Sequence, residues 1–132
     1  MTCPFCRPNL NNKDIVLENE YCLFLQREEP ILKGSGLIVT RAHRETVFDI
    51  SLEEWLATRE MIQLAKNAID EKYRPTGYNL GWNCGTVAGQ EIFHVHLHII
   101  PRYEDEPLAG KGIRYWLKQN VNRRNRSPKF SD

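Results

Sequence analysis

No stretch of this 132-residue chain approaches the run of about 18 apolar residues that a membrane-spanning helix needs. The opening residues, MTCPFCRPNL, lack a basic segment followed by an apolar one, so no secretory signal is expected and the cytoplasm is the expected compartment. Cysteine is scarce, with four in all, and in a reducing compartment these do not imply a disulfide framework. No internal repeat and no shift of composition marks a domain boundary. Histidine is equally scarce, yet three of the four histidines fall within five residues.

The rest of the composition is that of one soluble domain large enough for a core, with 41% hydrophobic and 27% charged residues. The net charge of +1 conceals a basic end: residues 111–132 hold seven Lys or Arg and one acid. The stretch RRNRSPK reads either as a frayed, solvated tail or as a phosphate or nucleic-acid contact. The expected organisation is one domain over residues 1–118 and a basic C-terminal tail over 119–132.

The chain reads as α+β. DIVLENEYCLFLQ (14–26) suggests two short strands around a turn at Glu18-Asn19-Glu20, and GLIVTR (36–41) a third. The connector AHRETVFDI has room for one helical turn. Ser51-Leu52-Glu53-Glu54 is a capping box, and Leu52, Trp55, Leu56, Ile62, Ala65 and Ile69 follow at helical spacing until Pro75 and Gly77. YNLGWN (78–83) and FHVHLHIIPR (93–102) are further strands, and GIRYWLK (112–118) suggests a short helix. Short connections favour antiparallel pairing, giving a sheet of about five strands with one long helix packed on it. Cys22 and Cys84 fall in apolar strand-like runs and read as small buried hydrophobes.

In a strand, residues two apart share a face. HVHLHII therefore places His94, His96 and His98 in one row, backed by the apolar Val95, Leu97 and Ile99. A random polar face would mix Thr, Lys, Glu and Ser. Imidazole is a common metal ligand and a common acid, base or nucleophile, so both metal chemistry and catalysis stay open. The preceding loop, GWNCGTVAGQEI, brings Gly81, Gly85 and Gly89, which allow close backbone approach to an anion, and Asn83 and Gln90, which can bond a sugar or phosphate. Together they suggest phosphate chemistry. Cys3-Pro4-Phe5-Cys6 reads as half a zinc site or as two free thiols on a terminus, since no βαβ unit follows to make a redox motif.

HVHLHII matches the His-φ-His-φ-His-φ-φ signature of the histidine triad (HIT) family, φ being apolar. AGQEIF before it and PR after it are similar to bacterial members, and PILKGSGLIVTRAH (30–43) resembles the family's upstream segment. The resemblance covers most of residues 3–103. It implies an enzyme acting on the α-phosphate of a purine nucleotide derivative, in which His96 is the nucleophile and forms a nucleotidyl-histidine. It implies that His98 donates a proton or hydrogen bond, that Gln90 contacts the phosphate or leaving group, and that Asn83 and Gly89 belong to the nucleotide site. No catalytic metal is required. It also implies a structural zinc held by Cys3, Cys6, His43 and His94, and a homodimer that extends the sheet across a two-fold axis. Neither membrane nor nucleic acid is the expected partner.

The chain departs from the family pattern in three places. Gly34-Ser35 stands where many members have Gly-His, and Thr40 where they have proline. The acid that usually binds the ribose is replaced, with Gln26 nearest that position; either Glu28 takes over or the sugar is held differently. Three rival readings remain open: a nucleotide-binding module with little turnover, a metallohydrolase with all three histidines on one metal, and a zinc-stabilised nucleic-acid binder.

Overall fold

In the computed structural model, which describes residues 2–125, the chain folds around a five-stranded sheet backed by one long helix. The strands are β1 (Ile15–Glu18), β2 (Cys22–Leu25), β3 (Gly36–Thr40), β4 (Gly77–Trp82) and β5 (His96–Arg102); the helix α1 is Leu52–Tyr73. The sheet order is β1-β2-β3-β5-β4 and every pair is antiparallel. The fold is therefore the expected α+β arrangement. A tight turn over 19–21 joins β1 to β2, longer loops over 26–35 and 83–95 join β2 to β3 and β4 to β5, and α1 is the crossover that carries the chain from β3, past the position of β5, to β4.

Close packing at the β2–β3 pair depends on one glycine. A Cβ on Gly36 would lie 2.5 Å from the carbonyl oxygen of Leu25 and 2.5 Å from the Phe24 ring. No other residue lets β3 begin at that spot.

The sheet has two working faces. Cys22, Phe24, Ile38, Leu97 and Ile99 point to the helix and pack against Met61, Ala65 and Ile69. Leu23, Leu25 and Val39 point the other way, under a cover from the N-terminal segment that includes Phe5 and Leu10. His96 and His98 share this second face.

α1 begins as the capping box requires. Ser51 Oγ accepts from the Glu54 N–H at 3.1 Å, and a Glu54 oxygen accepts from the Ser51 N–H at 2.7 Å. The helix ends at Arg74 in the left-handed conformation, one residue before Pro75. Its buried stripe differs from the expected one. Glu54, Thr58, Met61, Ala65 and Ile69 are buried, whereas Leu52, Trp55 and Leu56 are exposed. Glu54 can be buried because its carboxylate is fully occupied: besides Ser51 it accepts from Arg44 Nε at 3.0 Å. Burial pushes this carboxyl up, but the Ser51 and Arg44 bonds outweigh it and hold it below the ordinary range.

Other boundaries also shift. β5 starts at His96 rather than Phe93, because the N–H of Val95 donates to the Arg44 carbonyl at 2.6 Å and not to a neighbouring strand. Residues 112–118 form turns, not a helix: the N–H groups of Tyr115, Lys118 and Gln119 donate to the carbonyls of Gly112, Arg114 and Trp116, with no regular repeat. Cys22 is buried as expected, but Cys84 lies half-buried in the loop after β4. Of the tail expected over 119–132, the segment 126–132 lies outside the described residues. Asn120–Asn122 form a single 3-10 turn.

Candidate active site and metal centre

The triad divides into two chemistries at the start of β5. His96 and His98 sit in the strand with rings 5.1 Å apart, centre to centre. His94 lies just before it, fully buried, and is drawn aside. Its Nε2 is 2.7 Å from the Thr40 carbonyl oxygen at the end of β3. A carbonyl only accepts, so Nε2 carries the proton and Nδ1 presents a lone pair.

That lone pair meets the N-terminal cysteines. Nδ1 of His94 is 3.3 Å from Cys3 Sγ and 3.7 Å from Cys6 Sγ, and Cys6 Sγ is 3.5 Å from His43 Nδ1. All four ligand atoms lie within 4.8 Å of one another. Tetrahedral zinc, with Zn–S near 2.3 Å and Zn–N near 2.0–2.1 Å, requires S···N edges of about 3.6 Å. The observed separations bracket that value.

Burial, then the bond and charge of neighbouring Cys3, push the Cys6 thiol up. A divalent ion between the sulfurs would reverse this and hold both as thiolates. Burial holds His94 below the ordinary imidazole range, hence neutral and able to ligate, and the Thr40 carbonyl fixes its tautomer. The cluster can hold a metal ion.

The loop that carries His43 is itself locked. Arg44 ties it to α1 through Glu54 and, through its carbonyl, to Val95 beside His94. Thus the buried carboxylate of the capping box helps to place the ligand set.

His96 is oriented differently. Its Nδ1 donates to the His94 carbonyl at 2.8 Å, which leaves Nε2 as the ring nitrogen with a free lone pair. Phe5, one of the two residues between Cys3 and Cys6, stands edge-on to His96 at 5.1 Å and to His94 at 6.1 Å. His98 Nε2 is buried and, among the described residues, has no hydrogen-bond partner. Burial, with a smaller contribution from His96, holds His98 below its ordinary range. A buried polar atom with no partner is costly unless a ligand supplies one.

His98 opens onto a cleft of about 430 Å³. Its walls are apolar near the sheet (Phe5, Leu25, Leu37, Ile100) and polar at the mouth (Asp14, Gln26, Arg27, Glu28, Glu29). An apolar interior with a few polar groups at the rim is the usual make-up of a small-molecule site. Gln26 lines it, but its Nε2 is taken by the Gly34 carbonyl at 2.8 Å. Glu28 is exposed at the same mouth.

The glycine loop closes on Gln90. The amide of Gln90 is buried; its Oε1 accepts from the Gly85 N–H at 2.8 Å, and its Nε2 donates to the carbonyls of Glu45 at 2.7 Å and Ile92 at 3.1 Å. Gln90 therefore shapes the loop, and its bonding capacity is turned inward. Gly85 and Gly89 hold φ of +92° and +95°, which other residues rarely adopt. Asn83 is exposed beside Gly89.

The structure thus brings together Cys3, Cys6, His43 and His94 as one group, and His96 with His98 as another. Sequence reasoning gave no role to Phe5, Thr40 or Arg44. Phe5 carried a signal, being an aromatic inside C-x-x-C; the Thr40 carbonyl carried none.

His98 also predicts an acid-side weakness. Its folded pKa lies below the ordinary 6.5, so the unfolded chain binds the proton more readily between those two values. Stability should therefore fall as pH drops below about 6.5. Urea denaturation from pH 7.5 to 5 at fixed metal should show this, and His98→Asn should flatten the slope. An unchanged slope would count against a buried neutral imidazole.

Known proteins resemble this chain in sequence and fold. The model of the HIT domain family matches residues 9–105. An uncharacterized HIT-like protein of Methanocaldococcus jannaschii is 35% identical over 125 residues, covering 91% of this chain and 92% of that one. An adenylylsulfatase of Arabidopsis thaliana is 30% identical over 123 residues, covering 92% of this chain and 59% of its own length. An adenosine 5'-monophosphoramidase of Schizosaccharomyces pombe is 30% identical over 114 residues, covering 85% and 83%.

Among solved structures, a HIT family member from Bacillus subtilis superposes with a TM-score of 0.70 at 30% identity, covering 80% of this chain and 76% of that one. A zinc-bound histidine triad protein from Mycobacterium smegmatis gives a TM-score of 0.70 at 26% identity, covering 83% and 81%. With the family model spanning most of its length, this chain belongs to the HIT domain family.

Proposed function

We propose that the protein is a nucleotide hydrolase that cleaves at the α-phosphate of a nucleoside 5'-phosphate derivative, through a covalent intermediate on His96. One observation carries this reading: His96 Nε2 is free because Nδ1–H is bound to the His94 carbonyl, and the unpartnered Nε2 of His98 lies beside it at a cleft of nucleotide size. The relatives that act on adenylyl sulfate and on an adenosine phosphoramidate support the same class of reaction.

The steps follow from those atoms. The Nε2 lone pair attacks the α-phosphorus, a P–N bond forms, and the bond to the leaving group breaks. Positive charge appears on the imidazole and is stabilised by Nδ1–H on the His94 carbonyl. His98, neutral and buried, offers a hydrogen bond to the phosphoryl or leaving-group oxygen as negative charge builds there. Water then attacks phosphorus, the P–N bond breaks, and nucleoside monophosphate and free His96 are restored. The glycine loop, held in shape by Gln90 and flanked by Asn83, borders the phosphate. The cleft takes the nucleoside, with Glu28 able to reach the ribose in place of the usual acid, since Gln26 is already engaged.

Zinc is the metal that fits the Cys3, Cys6, His43 and His94 set, two thiolates and two imidazoles at tetrahedral spacing. Its role is structural: it fixes His94 and the Phe5 wall. The same geometry weakens the reading of one catalytic metal on all three histidines, because His94 Nδ1 faces the cysteines while His96 Nδ1 faces a carbonyl. Thiolate ligands suit the reducing cytoplasm.

A homodimer fits the exposed surfaces. β4 is the last strand of the sheet order and leaves an edge to be covered. Beside it, Trp55 of α1 is exposed, and its ring is 6.2 Å from that of Trp82. A second copy would continue the sheet and bury that ring.

The test is turnover of a panel: a dinucleoside polyphosphate, an adenosine phosphoramidate and adenylyl sulfate. Release of AMP from at least one, without added metal and unaffected by brief chelation, is expected. Binding of nucleotide with no release from any would favour a regulatory module instead.

A further inference from the structure

The ring of His96 hangs on one peptide unit, and that unit is held from outside the sheet. The carbonyl of His94 and the N–H of Val95 belong to the same planar trans peptide and point in opposite directions. The carbonyl accepts from His96 Nδ1 at 2.8 Å. The N–H donates to the Arg44 carbonyl at 2.6 Å. Pairing of β5 with β3 and with β4 begins at His96 and Leu97, so the ladder does not hold this peptide.

A chain of hydrogen bonds therefore runs from the Arg44 carbonyl, through one peptide, to the imidazole. Each bond in such a chain polarises the next. With its N–H bound, the peptide is a stronger acceptor for Nδ1–H, and the ring that donates to it carries more electron density at Nε2.

The side chain of Arg44 is locked in its turn. Its Nε donates to both carboxylate oxygens of Glu54, at 3.0 and 3.2 Å. Glu54 is 2% exposed and also accepts from the Ser51 N–H at the start of α1. A charge-assisted pair with one partner buried is a strong and directional tether. The next carbonyl along the chain, that of Glu45, accepts from Gln90 Nε2 at 2.7 Å, and Gln90 Oε1 holds the Gly85 N–H. Two successive carbonyls thus anchor the peptide behind His96 and the glycine loop.

We propose that Arg44, locked by Glu54, is a positioning residue for the reaction at His96: it fixes the His94–Val95 peptide, and with it the tautomer and aim of the ring, and it holds the glycine loop at a set distance from that ring. This rests on the hydrolase reading of His96. Misplacing reacting atoms by about 1 Å costs about 10²-fold in rate, so the loss belongs to the chemical step and not to binding.

Arg44→Met alone leaves the Glu54 charge buried without a partner. The double variant R44M/E54Q removes both charges and keeps a side chain that completes the capping box. Asp70→Asn breaks bonds from Lys66 and Tyr78 elsewhere on α1 and controls for lost stability alone. Zinc per chain, AMP affinity by calorimetry, kcat on an adenosine phosphoramidate and the imidazole nitrogen shifts of 15N-histidine protein are read on all three. Wild type should show His96 protonated at Nδ1 and bare at Nε2. R44M/E54Q should keep its zinc and its AMP affinity, lose about 10- to 100-fold in kcat, and show a mixture of His96 tautomers. Asp70→Asn should melt lower yet turn over as wild type does. Wild-type kcat or an unchanged His96 nitrogen pattern in R44M/E54Q overturns the proposal and leaves the hydrolase reading standing. Loss of zinc and of AMP affinity in step with kcat assigns the pair to the metal ligands alone and also overturns it, as does an equal fall in Asp70→Asn. A wild type that shows the Nδ1–H pattern but releases no AMP from any substrate removes the hydrolase reading and the proposal with it.

Discussion

Replacing His96 with alanine should lower the rate of AMP release by about four orders of magnitude or more, while the protein stays folded. The size follows from the role. A group that forms the covalent bond cannot be bypassed by its neighbours, whereas removing a hydrogen-bond donor typically costs far less. His96 is only half-buried, and its one protein hydrogen bond is to the His94 carbonyl, so the fold loses little. His96→Asn is a second variant that keeps a donor for that carbonyl and lacks the nucleophile; it should be equally inactive. His98→Asn should retain measurable activity, being slowed by about 10² to 10⁴, as for a lost acid or hydrogen-bond donor. Steady-state rates and a thermal melt on each variant check this. Similar losses at His96 and His98, both small, would contradict the assignment.

Stripping the metal should have the second largest effect. Four candidate ligands from three separated parts of the chain meet at one point, so an ion held there would tie the N-terminal loop to the end of β3 and the start of β5. A ligand present at 1,000 times its dissociation constant stabilises the folded state by about 4 kcal/mol. For a domain of this size that corresponds to a melting shift of roughly 10 °C or more. Cys3→Ser and His94→Ala should each melt lower by a comparable amount and bind less than one zinc per chain by elemental analysis. The loss should extend to nucleotide affinity, because Phe5 sits between the two cysteine ligands and forms one wall of the cleft. Equal melting of stripped and loaded protein would contradict a structural ion.

How much of this was legible in the sequence depends on the kind of contact involved. The alternation of HVHLHII announces a strand with one reactive face, and the capping box at Ser51 announces the helix start; both are local and both are present. The spacing of apolar residues along α1 misleads at Leu52, Trp55 and Leu56. Glu54 takes a buried position there because Arg44, ten residues earlier, supplies a partner that no local pattern reveals.

His94 shows the same limit. By sequence it is the first of three equal histidines. In the fold it leaves the row because Thr40 and Arg44 offer backbone carbonyls to it and to Val95. Gln90 reads as a ligand-facing amide, yet its bonds close a loop upon itself, a consequence of the positive φ at Gly85 and Gly89 that brings Gly85 within reach. The basic segment reads as a solvated tail from composition alone. Hydrogen bonds from Arg102 to the Leu108 and Lys111 carbonyls tie the chain around its start to β5.

These observations share one thread. On the proposed reading, His94 holds the metal and His96 reacts, and a single backbone carbonyl, that of His94, links them. The Thr40 carbonyl fixes the tautomer of His94; the carbonyl of His94 fixes that of His96. The central claim is that this tautomer makes His96 Nε2 the nucleophile.

The most direct measurement is intact-protein mass spectrometry after rapid mixing with a dinucleoside polyphosphate and an acid-free quench. Wild type should show a transient gain of one nucleoside monophosphate, located on His96 by fragmentation and absent from His96→Asn. AMP release at full rate with no such adduct at any time, or an adduct on another residue, would contradict it.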